Sequence, residues 1–264
     1  MLVLLKENAE EISKQAARLI ASAVRTKPTT VLGLATGGTM VGVYREMVAL
    51  HKASELDFSR VTTFNLDEYL GLPATHAQSF RTFMQENLFG HVNIAAANIH
   101  IPDGGITGDY DGYCAGYEAS IRTAGGIDLQ LLGIGRNGHI GFNEPTSSLG
   151  SRTRLKVLSR DTIEDNRKFF GAGEKIPNCA ITAGIGTILE ARKILLLANG
   201  SAKAVPIAEA IEGPVTAAVP ASALQMHPDV TFIVDGAAAA NLTHREYYKE
   251  VMEMTAILTP ERLG

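Results

Sequence analysis

Three segments carry residue types at spacings suited to chemistry on a small charged ligand. In Ala35-Thr36-Gly37-Gly38-Thr39 two glycines and two threonines stand between an apolar run and a helical pattern. Such a turn lets backbone N–H groups at a helix start approach an anion, with Thr36 and Thr39 as hydroxyl donors. The spacing is neither a Walker loop nor a dinucleotide fingerprint, and any tight strand-to-helix turn could look alike. In Phe64-Asn65-Leu66-Asp67-Glu68-Tyr69 two adjacent acids end an uncharged run. A carboxylate there suits a general base, and the same pair suits a helix cap. The third segment, Gly133 to Pro145, gathers Asn137, His139, Asn143 and Glu144 in one glycine-rich stretch. A histidine ordinarily titrates near neutrality, so His139 suits proton shuttling, and Glu144 bonded to its ring would fix the tautomer and raise the basicity. Lys203, after Gly200-Ser201-Ala202, and Arg167 or Lys168 could complete a phosphate site, although exposed cations are ordinarily solvated surface.

The elements that must hold these segments alternate. Asn8 with Glu11 three residues later marks a helix start, and Ile12, Ala16, Leu19, Ile20 and Ala23 recur at helical spacing. Buried strands are expected at residues 30–35, 61–66, 98–101, 127–134, 193–198 and 229–234. Helices are expected after Gly38 and over 78–88, 110–122, 161–170, 202–211 and 244–254. This alternation predicts an α/β fold: a doubly wound, mostly parallel open sheet with helices on both faces, in the Rossmann manner. Ligands bind such sheets at the carboxyl ends of the strands near the switch point, where all three segments fall. No linker or repeat interrupts the pattern, so residues 1–264 read as one domain.

Composition narrows the partners. A formal charge of −4 argues against nucleic acid. No apolar run approaches the ~20 residues a bilayer span needs. The start, Met1 to Lys6, lacks a basic leader region. Two cysteines, Cys114 and Cys179, without CxxC spacing suit a reducing cytoplasm and no zinc site. No histidine shows metal-ligand spacing and no serine sits in a nucleophile elbow, so neither metal nor nucleotide cofactor is expected.

Taken together the loops resemble the glucosamine-6-phosphate deaminase family. The matching stretches are Leu34–Thr39, Phe64–Leu72, Gly138–Pro145, Glu212–Val215 and Pro220 through Asp235. The resemblance implies ring opening, isomerisation and deamination of glucosamine 6-phosphate to fructose 6-phosphate and ammonia without a cofactor. It implies that Asp67 moves a proton between C2 and C1, that His139 opens the pyranose ring, and that Glu144 orients it. Thr36, Gly37, Gly38, Thr39 and Lys203 then contact the sugar phosphate. Many members carry Asp where this chain has Asn137, and often Arg where it has Lys168; lysine keeps the charge but loses the bidentate fork. Arg167 stands beside it, and the segment around 160–180 reads as a mobile lid because these charges would close over the phosphate. Some members are hexamers activated by N-acetylglucosamine 6-phosphate; Ser147, Arg154, Lys156 and Tyr247 match that site. The close alternatives are a galactosamine-6-phosphate deaminase, a 6-phosphogluconolactonase and a non-catalytic sugar-phosphate sensor. Phe142-Asn143-Glu144-Pro145 after the histidine fits the deaminase better than the lactonase, and no DNA-binding segment accompanies the domain.

Overall fold

The computed structural model describes residues 1–171 and 173–264. The elements in chain order are β1 (Leu2–Lys6), α1 (Ala9–Thr26), β2 (Val31–Leu34), α2 (Gly38–Lys52), β3 (Thr62–Asn65), β4 (Asp67–Tyr69), α3 (Phe80–Asn87), β5 (Ile99–His100) and α4 (Tyr110–Thr123). Then come β6 (Leu129–Leu132), β7 (Arg154–Val157), α5 (Arg160–Arg167), β8 (Cys179–Thr182), α6 (Ile185–Leu189), β9 (Lys193–Ala198), α7 (Ala204–Glu212), β10 (Val230–Asp235) and α8 (Arg245–Leu258).

Seven strands form the main sheet in the order β1-β10-β9-β6-β2-β3-β5, every pair parallel. From β2 the chain first steps outward to β3 and β5, then returns to β6 on the other side and steps out again to β9 and β10. Right-handed crossovers running in opposite directions place their helices on opposite faces. α1, α2 and α3 belong to crossovers of one direction, and α1 and α3 both pack on α2. The order reverses between β2 and β6, which is where a ligand cleft opens in such a sheet. β2, β6 and β9 bury nearly every residue, as continuous apolar runs covered on both faces should.

Two features depart from the sequence reading. Leu2–Lys6 is a strand, pairing parallel with β10 from Leu2 opposite Thr231 to Lys6 opposite Asp235. A second, antiparallel sheet of order β4-β8-β7 stands beside the first. Its strands are short and polar, Asp-Glu-Tyr and Arg-Leu-Lys-Val among them, so no apolar run announces them. A small core of Tyr69, Leu72, Phe142, Leu158 and Ala180 lies under it, apart from the main core. The helix expected to reach Phe170 stops at Arg167. The 160–180 stretch, expected as a lid, includes Ala172, which lies outside the described residues.

Candidate active site

A cleft of about 550 Å³ opens at the carboxyl ends of β2, β3, β6 and β9. That is room for a small polar metabolite. Thr36, Gly37, Gly38 and Thr39 line it at the start of α2, where no side chain caps the helix. The Thr39 hydroxyl donates to Asn199 Oδ1 at 3.0 Å. Lys203, in the turn after β9, lines the same cleft and donates from Nζ to the Ile134 carbonyl at 2.6 Å. Burial lowers its pKa, and the charges of Arg136 and Lys168 lower it further against Asp165. An anion at this wall would meet helix N–H groups and an ammonium together.

Asp67 is the first residue of β4 and is 6% exposed. Burial, and then the Glu68 carboxylate beside it, push its carboxyl from 3.8 up to about 8, while the Thr182 hydroxyl opposes the shift. Glu68 has the other fate considered for the pair. Its two oxygens accept from the N–H groups of Phe80 and Arg81 at 2.9 and 3.0 Å, capping α3. The adjacent acids therefore divide the work: one faces the cleft and the other holds a helix start.

His139 also lines the cleft, and its side chain keeps 22% of its exposure. Glu144 does not bond its ring directly. Asn137 stands between them, with Oδ1 2.7 Å from His139 Nδ1 and Nδ2 donating to Glu144 Oε2 at 2.9 Å. The ring nitrogen and Glu144 Oε2 are 3.6 Å apart. A carboxylate only accepts, so the Asn137 NH₂ must face Glu144 and its carbonyl oxygen must face the ring. The His139 backbone N–H donates to the same oxygen at 3.2 Å. Nδ1 is then the protonated nitrogen, and Nε2 is left with its lone pair. Burial lowers the His139 pKa, with Glu144 opposing, so the basicity expected from the carboxylate is outweighed. Burial works against the Glu144 charge, but the Thr162 hydroxyl, His139 and Asn137 hold its carboxyl below the ordinary value. Gly135 makes the ring's place possible: a Cβ there would fall 2.2 Å from the imidazole.

The structure brings together Asp67, His139, Thr36 to Thr39 and Lys203 on one cleft, with Asn137 and Glu144 behind the histidine. It does not bring Arg167 or Lys168 onto that wall. Arg167 is exposed and paired to Glu164 at 2.9 Å, and Lys168 is exposed with Nζ 5.0 Å from the Phe169 ring centroid. Their neighbours Asn166, Phe169 and Phe170 line the cleft instead, with the Phe170 ring edge-on to Tyr69 and Tyr69 packed against Phe80. Neither Tyr69 nor these three residues stood out as site residues in sequence; the aromatic contacts cross several elements. Arg154 donates to Asn143 Oδ1 at 2.9 Å, with Lys156 two residues on in β7. Ser147 is buried with no partner for its Oγ. Tyr247 lies far along the fold on α8, which packs on β1, and is 62% exposed. Among the described residues, no cluster of three His, Cys, Asp or Glu side chains could hold a metal ion. No helix among them is long and apolar enough to cross a membrane.

The chain is similar to known proteins. The chain is 53% identical over 250 residues to a glucosamine-6-phosphate deaminase of Shewanella loihica, covering 95% of this chain and 92% of that one. It is 51% identical over 264 residues to one of Cellvibrio japonicus, covering all of both. The solved structure of a monomeric glucosamine-6-phosphate deaminase superposes with a TM-score of 0.88 at 42% identity, covering 91% of this chain and all of that one. A family model for glucosamine-6-phosphate isomerases/6-phosphogluconolactonase matches residues 5–233, a span that holds the whole cleft. With that span and those identities, the chain belongs to the glucosamine-6-phosphate isomerase/6-phosphogluconolactonase family.

Proposed function

We propose that this chain is a glucosamine-6-phosphate deaminase, taking glucosamine 6-phosphate and water to fructose 6-phosphate and ammonia. The observation that carries the reading is a buried carboxylate and a tautomer-fixed histidine on one cleft, opposite a helix start and Lys203. Relatives about half identical and named for that activity support it.

The phosphate occupies the wall of Thr36, Gly37, Gly38, Thr39 and Lys203, and Lys168 or Arg167 approaches it from the 160–180 lid. Ring opening removes a proton from the anomeric hydroxyl and places one on the ring oxygen; a neutral imidazole with Nε2 free serves both steps. Asn137 holds the imidazole in that tautomer and Glu144 holds Asn137. Ionised Asp67 then takes the C2 proton of the open aldose, and with protonation of the C1 oxygen an enolamine results. Asp67 returns its proton to C1, which leaves an iminium at C2. Water adds there and ammonia leaves, giving the ketose. A carboxylate poised well above the usual range is a strong base once ionised, as removing a carbon-bound proton requires.

Regulation by N-acetylglucosamine 6-phosphate through Ser147, Arg154, Lys156 and Tyr247 belongs to the same reading. Arg154 and Lys156 stand on β7 and Tyr247 on α8, and a second copy of the chain that brings α8 to β7 would complete such a site. The deciding assay is release of ammonia and fructose 6-phosphate from glucosamine 6-phosphate, with galactosamine 6-phosphate and 6-phosphogluconolactone run alongside. No ammonia from either amino sugar at high enzyme concentration overturns the reading.

A further inference from the structure

Thr182 ends β8, belongs to no motif of the cleft loops, and is fully buried. β8 runs antiparallel to β4 with Thr182 directly opposite Asp67. Opposed residues in an antiparallel pair carry their side chains on one face, with Cβ atoms about 4.5–5.5 Å apart. The hydroxyl and the carboxylate therefore share one side of the small sheet. Gly141 lies beside both groups. At its φ of +55° a Cβ would stand 3.1 Å from Thr182 Oγ1 and 3.3 Å from Asp67 Oδ2, so both oxygens border one spot. Only a glycine lets the histidine loop pass there.

The hydroxyl's own bonds decide where its proton goes. The Phe142 N–H donates to Thr182 Oγ1 at 3.0 Å, so the oxygen is held from the histidine loop. Two acceptors remain. The Ala183 carbonyl is 3.4 Å away and already accepts from Asn143 Nδ2 at 2.8 Å. The Asp67 carboxylate is the other, and a charged acceptor makes the stronger bond. We propose that Thr182 is a positioning residue for the base: anchored by the Phe142 N–H, its hydroxyl donates to the Asp67 carboxylate, ties it to the His139 loop and sustains its ionised form. The groups around Asp67 are the Glu68 carboxylate and the Tyr69 phenol on its own strand, the Tyr117 phenol from α4, and His139 and Lys203 on the cleft wall. Burial and Glu68 favour the neutral acid, and Thr182 works against both.

This role rests on Asp67 being the base, so Asp67→Asn is measured beside the threonine variants. The readouts are the pH profile of kcat/KM on glucosamine 6-phosphate and solvent exchange of the substrate C2 hydrogen. Thr182→Val is expected to move the acid limb of kcat/KM up by about one pH unit, with exchange slowed most on the acid side. Thr182→Ser is expected to return the limb to its original place. A uniform loss at every pH with the limb unmoved, or a serine variant whose limb stays displaced, overturns the proposal. Valine leaves the Phe142 N–H without a partner; should that variant not fold, Thr182→Cys carries the test. A limb displaced upward in the cysteine variant supports the role, and a limb at the wild-type position overturns it. Exchange that persists in Asp67→Asn sinks the base assignment itself. Exchange lost there beside an unmoved limb in Thr182→Val sinks only the part given to Thr182.

Discussion

In the proposed mechanism Asp67 must be charged, yet it is kept where charge is expensive. Its carboxyl is pushed from 3.8 up to about 8, first by burial and then by Glu68. The folded protein therefore holds a proton that the unfolded chain releases from about pH 4 upward. Stability from this group is complete below that point and is lost as pH rises towards 8. Asp67→Asn does not titrate, so its melting temperature should overtake the wild type's as pH climbs, by on the order of 5 °C at pH 8. Scanning calorimetry across pH 4–9 checks this, and a constant gap would contradict it. The same variant should release no C2 hydrogen to solvent while still binding the sugar phosphate. At His139, an Asn137→Asp change puts a charged acceptor on Nδ1 in place of an amide. The imidazole should then titrate about one unit higher, read from its Cε1–H resonance by NMR. Asp67, His139, Asn137 and Glu144 were all legible in sequence as residues. Their connections were not: the amide between histidine and carboxylate, and the threonine opposite the base, depend on side-chain direction and strand register.

The elements repeat this division. β2, β6, β9 and β10 are largely apolar and declare themselves, because a strand covered on both faces has little polar side to show. β4, β7 and β8 are three or four residues long and carry charges or a cysteine, so periodicity had nothing to register. β1 is apolar too, but its place at the sheet edge comes from pairing with β10, far away in the sequence. On the 160–180 segment, sequence left Arg167 and Lys168 equal, and their surroundings separate them. Arg167 is turned back to Glu164. Lys168 is close enough for its charge to lower the pKa of Lys203. Lys168→Ala should raise KM for the sugar phosphate by about tenfold, and Arg167→Ala by less than about twofold. Steady-state kinetics on the two variants decides it, and equal effects would refute the distinction.

Across the whole molecule, a formal charge of −4 coexists with a cleft wall made cationic by Lys203 and the start of α2. More telling is that the residues given the proposed chemistry stand on two sheets with separate cores. His139 and Lys203 follow β6 and β9, strands of the large sheet with its extensive apolar core. Asp67, two residues beyond β3, begins the three-strand sheet, which rests on a second core of five buried residues. Local opening takes place where few apolar contacts must be broken. Amide protons of β4, β7 and β8 should therefore exchange at least about tenfold faster than those of β6, β9 and β10, measurable by hydrogen exchange with mass spectrometry. Equal protection in both sheets would remove the basis for this expectation. The seam between the sheets then behaves as a fuse. Mild heat or denaturant would disconnect the base from the histidine while most of the molecule still stood, so turnover would fail well below the temperature at which the chain melts.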